Sequence, residues 1–192
     1  MPKVGMEPVR RAALVDATIG MIGEAGSLDV TVGQIAKRAG VSTALAHHYF
    51  GGKDQIFLAA MRHILSEYSA EVRLALKSTS APQDRLAALI AANFSPTCFK
   101  PTTVNAWLNF YVQAQSSEDA ARLLRIYQRR LDSNLRHALR AHLSDPTPVV
   151  QALAAMIDGV YLRAALSRSG LKRDAAQQVL SAARALIAEQ KQ

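Results

Sequence analysis

Thr31-Val32-Gly33-Gln34-Ile35-Ala36-Lys37-Arg38-Ala39-Gly40-Val41-Ser42-Thr43-Ala44-Leu45-Ala46-His47-His48-Tyr49-Phe50 decides how this chain is read. Thr31 and Gln34 stand three apart in the relation of a capping box, hydroxyl to the forward amide and side-chain amide back to the cap, so a short helix begins here. Ile35, Ala36 and Ala39 face inward, and Gly40 supplies the backbone freedom of a tight turn. Ser42 then caps a second short helix that ends near Phe50. Two short helices joined by a glycine turn form a helix-turn-helix, whose second helix can lie in the major groove of a duplex. Ala36 is small enough for a close helix crossing, and Val41, Ala46 and Phe50 pack inward. Thr43, Ala44, Leu45, His47, His48 and Tyr49 then project outward, a set without a carboxylate. Such groups suit phosphates, base edges and thymine methyls. Lys53 adds a cation at the start of the following helix, and Thr31 completes the expected DNA-facing set.

Outward from this stretch the periodicity stays helical, without sustained alternation or a hairpin turn. A first amphipathic helix runs through Ala13, Leu14, Ala17 and Ile22 and ends at Gly26. From Lys53 a long helix carries Ile56, Phe57, Ala60, Ile64, Leu65, Tyr68, Val72 and Leu76. Pro82 opens the next helix; further ones run from about Thr102, from the Ser117 cap, from Pro146 and Pro148, and from Arg173. The expected fold is all-α with nine helices. Residues 1–52 form a three-helix DNA-binding head, and residues 53–192 form a larger ligand-binding and dimerisation body. The junction lies inside continuous helix, so a rigid element can carry displacement from body to head.

Composition agrees with a globular chain: of 192 residues 49% are hydrophobic and 20% charged, which argues against disorder. A single cysteine, Cys98, cannot form an internal disulfide. No unbroken apolar run reaches bilayer-spanning length, and Met1–Glu7 lacks the apolar core of a signal peptide, so a cytoplasmic protein is expected. The net charge of +8 favours a polyanionic partner, but residues 1–77 hold nine Lys and Arg against seven Asp and Glu, so the excess lies mainly in the body.

In that body Trp107, Phe110 and Tyr111 share one helix face. Asp158 sits among Ala154, Ala155, Met156, Ile157, Val160 and Leu162, where a carboxylate is costly unless partnered. Arg129 or Arg136 could pair with it; Tyr161 lies three residues on, and Gly159 suggests close approach of a helix or ligand. Aromatic faces with one anion suit a quaternary ammonium. Trp107, Tyr111, Asp158 and Tyr161, with Phe94 and Phe110, are the expected ligand contacts. Val149, Leu153, Ile157, Val160 and Ala164, then Ala176, Val179, Leu180, Ala183, Leu186 and Ile187, leave two terminal helices apolar over a broad face, which a symmetric partner would cover.

The head resembles the tetracycline-repressor (TetR) family of bacterial regulators, through Thr31-x-x-x-Ile35-Ala36-x-x-Ala39-Gly40-Val41-Ser42 followed by an aromatic-rich end and Lys53. The resemblance is strong over residues 8–65 and rests on helix count elsewhere. Three stretches are similar to the choline-responsive group that represses glycine betaine synthesis genes. They are Met1-Pro2-Lys3-x-Gly5-Met6 with Arg10-Arg11, Ala106-Trp107-Leu108-x-Phe110, and Ile157-Asp158-Gly159-x-x-Leu162-Arg163-Ala164-Ala165-Leu166-Ser167. His47-His48-Tyr49-Phe50 departs from the tyrosine–histidine order of most members, so an operator sequence does not carry over. The resemblance implies a repressor that binds double-stranded operator DNA as a homodimer, with choline as its small-molecule ligand. A same-fold repressor for another small cationic or lipophilic ligand is the alternative.

Nothing points to an enzyme, cofactor or metal. Cys98 has no histidine beside it, and Ser169-x-x-Lys172 lacks companion motifs. His47 and His48 diverge on a helix, His137 and His142 are spaced little better, and no glycine-rich phosphate loop exists.

Overall fold

The computed structural model describes residues 5–167 and 174–191. The expected start of the last helix at Arg173, the Ser169–Lys172 spacing and the first four residues of the N-terminal stretch lie outside them. Among the described residues there are nine α-helices and no strand: α1 Met6–Ala25, α2 Val32–Arg38, α3 Thr43–Phe50, α4 Lys53–Lys77, α5 Arg85–Asn93, α6 Pro101–Gln113, α7 Glu118–Leu139, α8 Thr147–Leu166 and α9 Ala175–Glu189. A 3-10 turn, Pro82–Asp84, precedes α5.

The local signals act as expected. Thr31 and Gln34 close a reciprocal capping box at α2, with Gln34 N–H donating to Thr31 Oγ1 at 3.2 Å and Thr31 N–H donating to Gln34 Oε1 at 2.8 Å. Gly40 takes φ 68°, and Ser42 accepts from Leu45 N–H at 3.2 Å to start α3. α2 and α3 cross over Ala36 and Ala46, both fully buried. Ser117 likewise caps α7 through Ala120 N–H.

The head does not merely hang from α4. Helix α1 packs along α6 as well, across the division expected at residue 52. A Cβ at Gly23 would stand 2.2 Å from the Thr102 carbonyl oxygen and 2.6 Å from its Cα, so backbone meets backbone there. Asn105 Nδ2 donates to Gly23 O at 3.0 Å, fixing the register of the two helices.

Helix α8 is, by length and composition alone, apolar enough to cross a bilayer, although Asp158 and Arg163 interrupt it. The expectation that nothing reaches that length counted unbroken apolar runs and so missed it. Leu162 and Leu166 on this helix are 46% and 70% exposed.

Gly23→Ala tests the α1–α6 seat. Alanine gains about 1 kcal/mol of helix propensity, but overpacking against backbone costs about 1–3 kcal/mol or more. The expected net result is a lower melting temperature; a rise would show that the two helices separate at little cost.

Candidate functional site

Helix α3 presents Thr43, Ala44, His47 and His48 to solvent. His47 Nδ1 lies 3.2 Å from Gly51 O. A carbonyl only accepts, so Nδ1 is the donor in this contact. Leu45, expected to be fully outward, is half-buried. Tyr49 is also half-buried. Arg11 of α1 holds this end of the helix: its Nη1 donates to Tyr49 O at 2.7 Å, and its guanidinium lies 5.0 Å from the Tyr49 ring and 5.2 Å from the Phe50 ring. Sequence reading missed Arg11 as a positioning group, since 38 residues separate it from Tyr49. Thr31 is exposed, but its hydroxyl is committed to the capping box, both accepting from and donating to Gln34. Lys53 stands exposed at the first position of α4, its Nζ 5.4 Å from the Phe57 ring.

In the body two cavities share a wall made by Trp107 and Tyr161. The outer cavity, about 440 Å³, lies between α6 and α8 and is lined by Tyr111, Asp158, Gly159 and Leu162 besides the shared pair. The inner one, about 30 Å³, is lined by Glu67 and Tyr68 of α4, Asn93 of α5, Thr103 of α6 and Tyr127 of α7 with their neighbours. The four ligand residues expected most strongly, Trp107, Tyr111, Asp158 and Tyr161, therefore line one space.

The rings are interlocked edge to face. Trp107 meets Tyr111 at 5.5 Å and Tyr127 at 5.0 Å, and Tyr68 meets Tyr127 at 5.6 Å, all steeply tilted. Tyr127 Oη donates to Asp158 at 3.0 Å. Burial pushes the Asp158 carboxyl above the usual carboxylate range, while hydroxyls of Tyr127 and Tyr111 pull against that rise. The expected alternative pairing is not made: Arg136 reaches Thr147 instead, and Arg129 is exposed. Burial raises Tyr68, Tyr111, Tyr127 and Tyr161, so the phenols stay neutral. Tyr161 is fixed by donating its hydroxyl to Asn93 O.

Two expected contacts are corrected. Phe110, 1% exposed, belongs to the core and lines neither cavity. Phe94 caps α5 and lies behind Tyr161, 5.7 Å between ring centres, with Phe99 completing a trio. Gly159 meets no helix: a Cβ there would find open space, on the outer cavity. Cys98 is buried at the inner cavity with its thiol pushed up by desolvation, the opposite of an activated nucleophile.

Comparison with known proteins places this architecture. Residues 14–60 match the tetR family of bacterial regulatory proteins, and residues 82–188 match the C-terminal region of BetI-type transcriptional repressors. The HTH-type transcriptional regulator BetI of Brucella abortus (strain 2308) is 56% identical over 168 residues, 86% of this chain and 85% of that protein. BetI of Rhizobium meliloti (strain 1021) is 49% identical over 91% of this chain and 87% of its own. Among solved structures, a TetR transcription regulator from Haloarcula marismortui aligns with TM-score 0.82 at 21% identity, over 95% of this chain and 98% of that one. A transcriptional regulator from Saccharomonospora viridis, solved in complex with choline, aligns with TM-score 0.76 at 18% identity, over 91% and 95%. The helix-turn-helix head and the helical body thus each find their match, and the chain belongs to the tetR family as a DNA-binding transcriptional repressor of the BetI type.

Proposed function

We propose that this repressor senses choline in the aromatic cleft of its body and acts as a homodimer on a palindromic operator. One observation carries the ligand reading. The residues lining the two cavities include Asp158 and Glu67 and no lysine, arginine or histidine. A pocket with negative charge and neutral phenols favours a cation. A quaternary ammonium, which donates no strong hydrogen bond, is held by ring faces at about 0.5–2 kcal/mol each. Trp107, Tyr111 and Tyr161 supply the rings, and Asp158, bonded by Tyr127, the counter-charge. The BetI relatives and the choline complex of a same-fold regulator support the identity of the cation.

The dimer is supported by the exposed leucines of α8. A two-fold partner placing its own α8 and α9 against them would cover that surface in a four-helix interface. It would also bring two α3 helices to the spacing of successive major grooves, about 34–36 Å. On the duplex, Thr43, Ala44, His47 and His48 face base edges, Leu45 and Tyr49 flank them, and Thr31 and Lys53 approach phosphates. Residues 1–52 serve as the reading unit and residues 53–192 as the sensing and dimerising unit, acting on DNA in the cytoplasm. Ligand alters operator affinity by favouring one of two states. Two elements carry the shift: α4, continuous from Tyr68 to the reading head, and α6, which holds Trp107 and is bonded to α1 through Asn105.

Trp107 is the only tryptophan of the chain, so its fluorescence reports the cleft directly. Choline should change it saturably; no change at millimolar choline would remove choline from the account. Asp158→Asn should weaken choline about tenfold or more, as removal of a buried charge partner does. The wild type should lose affinity on acidification at a pH above the ordinary aspartate range, because the raised carboxyl takes up its proton early. An affinity flat through that range would show that the carboxylate is not the counter-charge.

Lys53→Ala should weaken operator and random duplex alike and reduce the salt slope by about 1, read by fluorescence anisotropy across a salt series. A loss confined to the operator would instead make Lys53 a base reader.

A further inference from the structure

We propose that the inner cavity reads the ligand's hydroxyl group, with the phenol of Tyr68 as the specificity-determining residue; this rests on the cation reading above. The two cavities differ in size and in chemistry. A water-sized group needs about 10–15 Å³. The inner cavity, about 30 Å³, therefore has room for a hydroxyl. The outer cavity, about 440 Å³, takes the head with ease. Asp158 sits on the outer side, beside Tyr111 and Trp107. The inner side carries the part-exposed Glu67, 3.7 Å from His63 Nε2, and three neutral hydrogen-bonding groups, Tyr68, Asn93 and Thr103, each at least nine-tenths buried.

Among these, Tyr68 is singular. It is 7% exposed, yet its hydroxyl oxygen is fully buried and bonds to no protein group. The amides of Asn93 and Asn134 lie near it without reaching bonding geometry, and Asn93 Nδ2 is committed to Leu89 O at 2.9 Å. An unmade hydrogen bond at a buried hydroxyl is destabilising, and phenylalanine would fill the same volume without that cost. Burial keeps the phenol protonated, so it can both donate to and accept from a ligand hydroxyl. Trp107 and Tyr161 border both spaces, so a ligand at their junction points its two ends into different chemistry. The class selected is a quaternary ammonium bearing a hydroxyl two carbons from nitrogen. A site built to bond a hydroxyl rejects the analogue lacking it far more strongly than an apolar wall rejects a missing methylene.

The test compares choline with ethyltrimethylammonium, which has a hydrogen in place of the hydroxyl, on wild type and Tyr68→Phe. Binding is followed by Trp107 fluorescence and calorimetry on the full chain. Wild type should prefer choline about tenfold or more. Tyr68→Phe should bring choline down to the analogue's affinity, leave the analogue within about twofold, and keep or raise the melting temperature, since an unpaired buried group is lost. Equal affinity of wild type for both cations, or a variant that loses both alike, overturns the assignment while leaving the cation reading intact. Failure of both cations to bind wild type overturns the cation reading and this assignment together.

Discussion

Helix α1 can lie on the first turn of α6 only because position 23 carries no side chain, and much of the molecule's logic follows from that contact. The Thr102 carbonyl occupies the space a Cβ would need, and Asn105 ties down the Gly23 carbonyl one turn further on. At 100° per residue, Thr102, Asn105 and Asn109 fall on one face of α6, and Val104, Trp107, Leu108 and Tyr111 on the opposite one. The same short helix is therefore a seat for the reading head and a wall of the cleft. Interfaces of this density are not continuously deformable. Rotation of α6 driven from the aromatic side must move α1 or break the Asn105 bond.

Features written in neighbouring residues were legible in the chain. The Thr31–Gln34 box, the left-handed glycines 26 and 40 and the serine caps at 42 and 117 each depend on atoms within four residues, and each does what its residue type dictates. So was the pairing of Asp158 with Trp107 in one cleft, because a carboxylate on an apolar helix signals a use. What the chain did not disclose is long-range. Tyr68 and Tyr127 fit the three-four repeat of core positions on α4 and α7 as well as any leucine would. Helical period places a ring inward; it does not tell whether that ring meets packed atoms or a cavity. Phe110 shows the converse, sharing the aromatic stripe of Trp107 and Tyr111 yet lying in solid core. Gly23 and Asn105, 82 residues apart, carry no local mark of their contact.

The electrostatics of the body depend on what is missing around Asp158. An arginine partner was available in composition, since α7 carries several, but four of them are exposed and Arg136 reaches Thr147, and the carboxylate is met by the Tyr127 phenol instead. Phenols stabilise an anion less than a guanidinium does, and the carboxyl stays above its ordinary range as a result. A salt bridge would have neutralised the site. A half-solvated, hydroxyl-bonded carboxylate keeps its attraction for an incoming cation.

That arrangement also bears on how a small ligand can act over a distance. A ligand shifts a conformational equilibrium only by the difference in its affinity for the two states, and uniform binding shifts nothing. Asp158 stands on α8, Tyr127 on α7, Trp107 and Tyr111 on α6, and Tyr68 on α4. A ligand spanning both cavities scores the separation of four helices at once, so its affinity is steeply sensitive to their spacing. Two of those four, α4 and α6, are also the elements in contact with the head. Differential affinity is thus a consequence of distributing the site over several elements, and a cage built on one helix would bind the same cation without moving the reading surface.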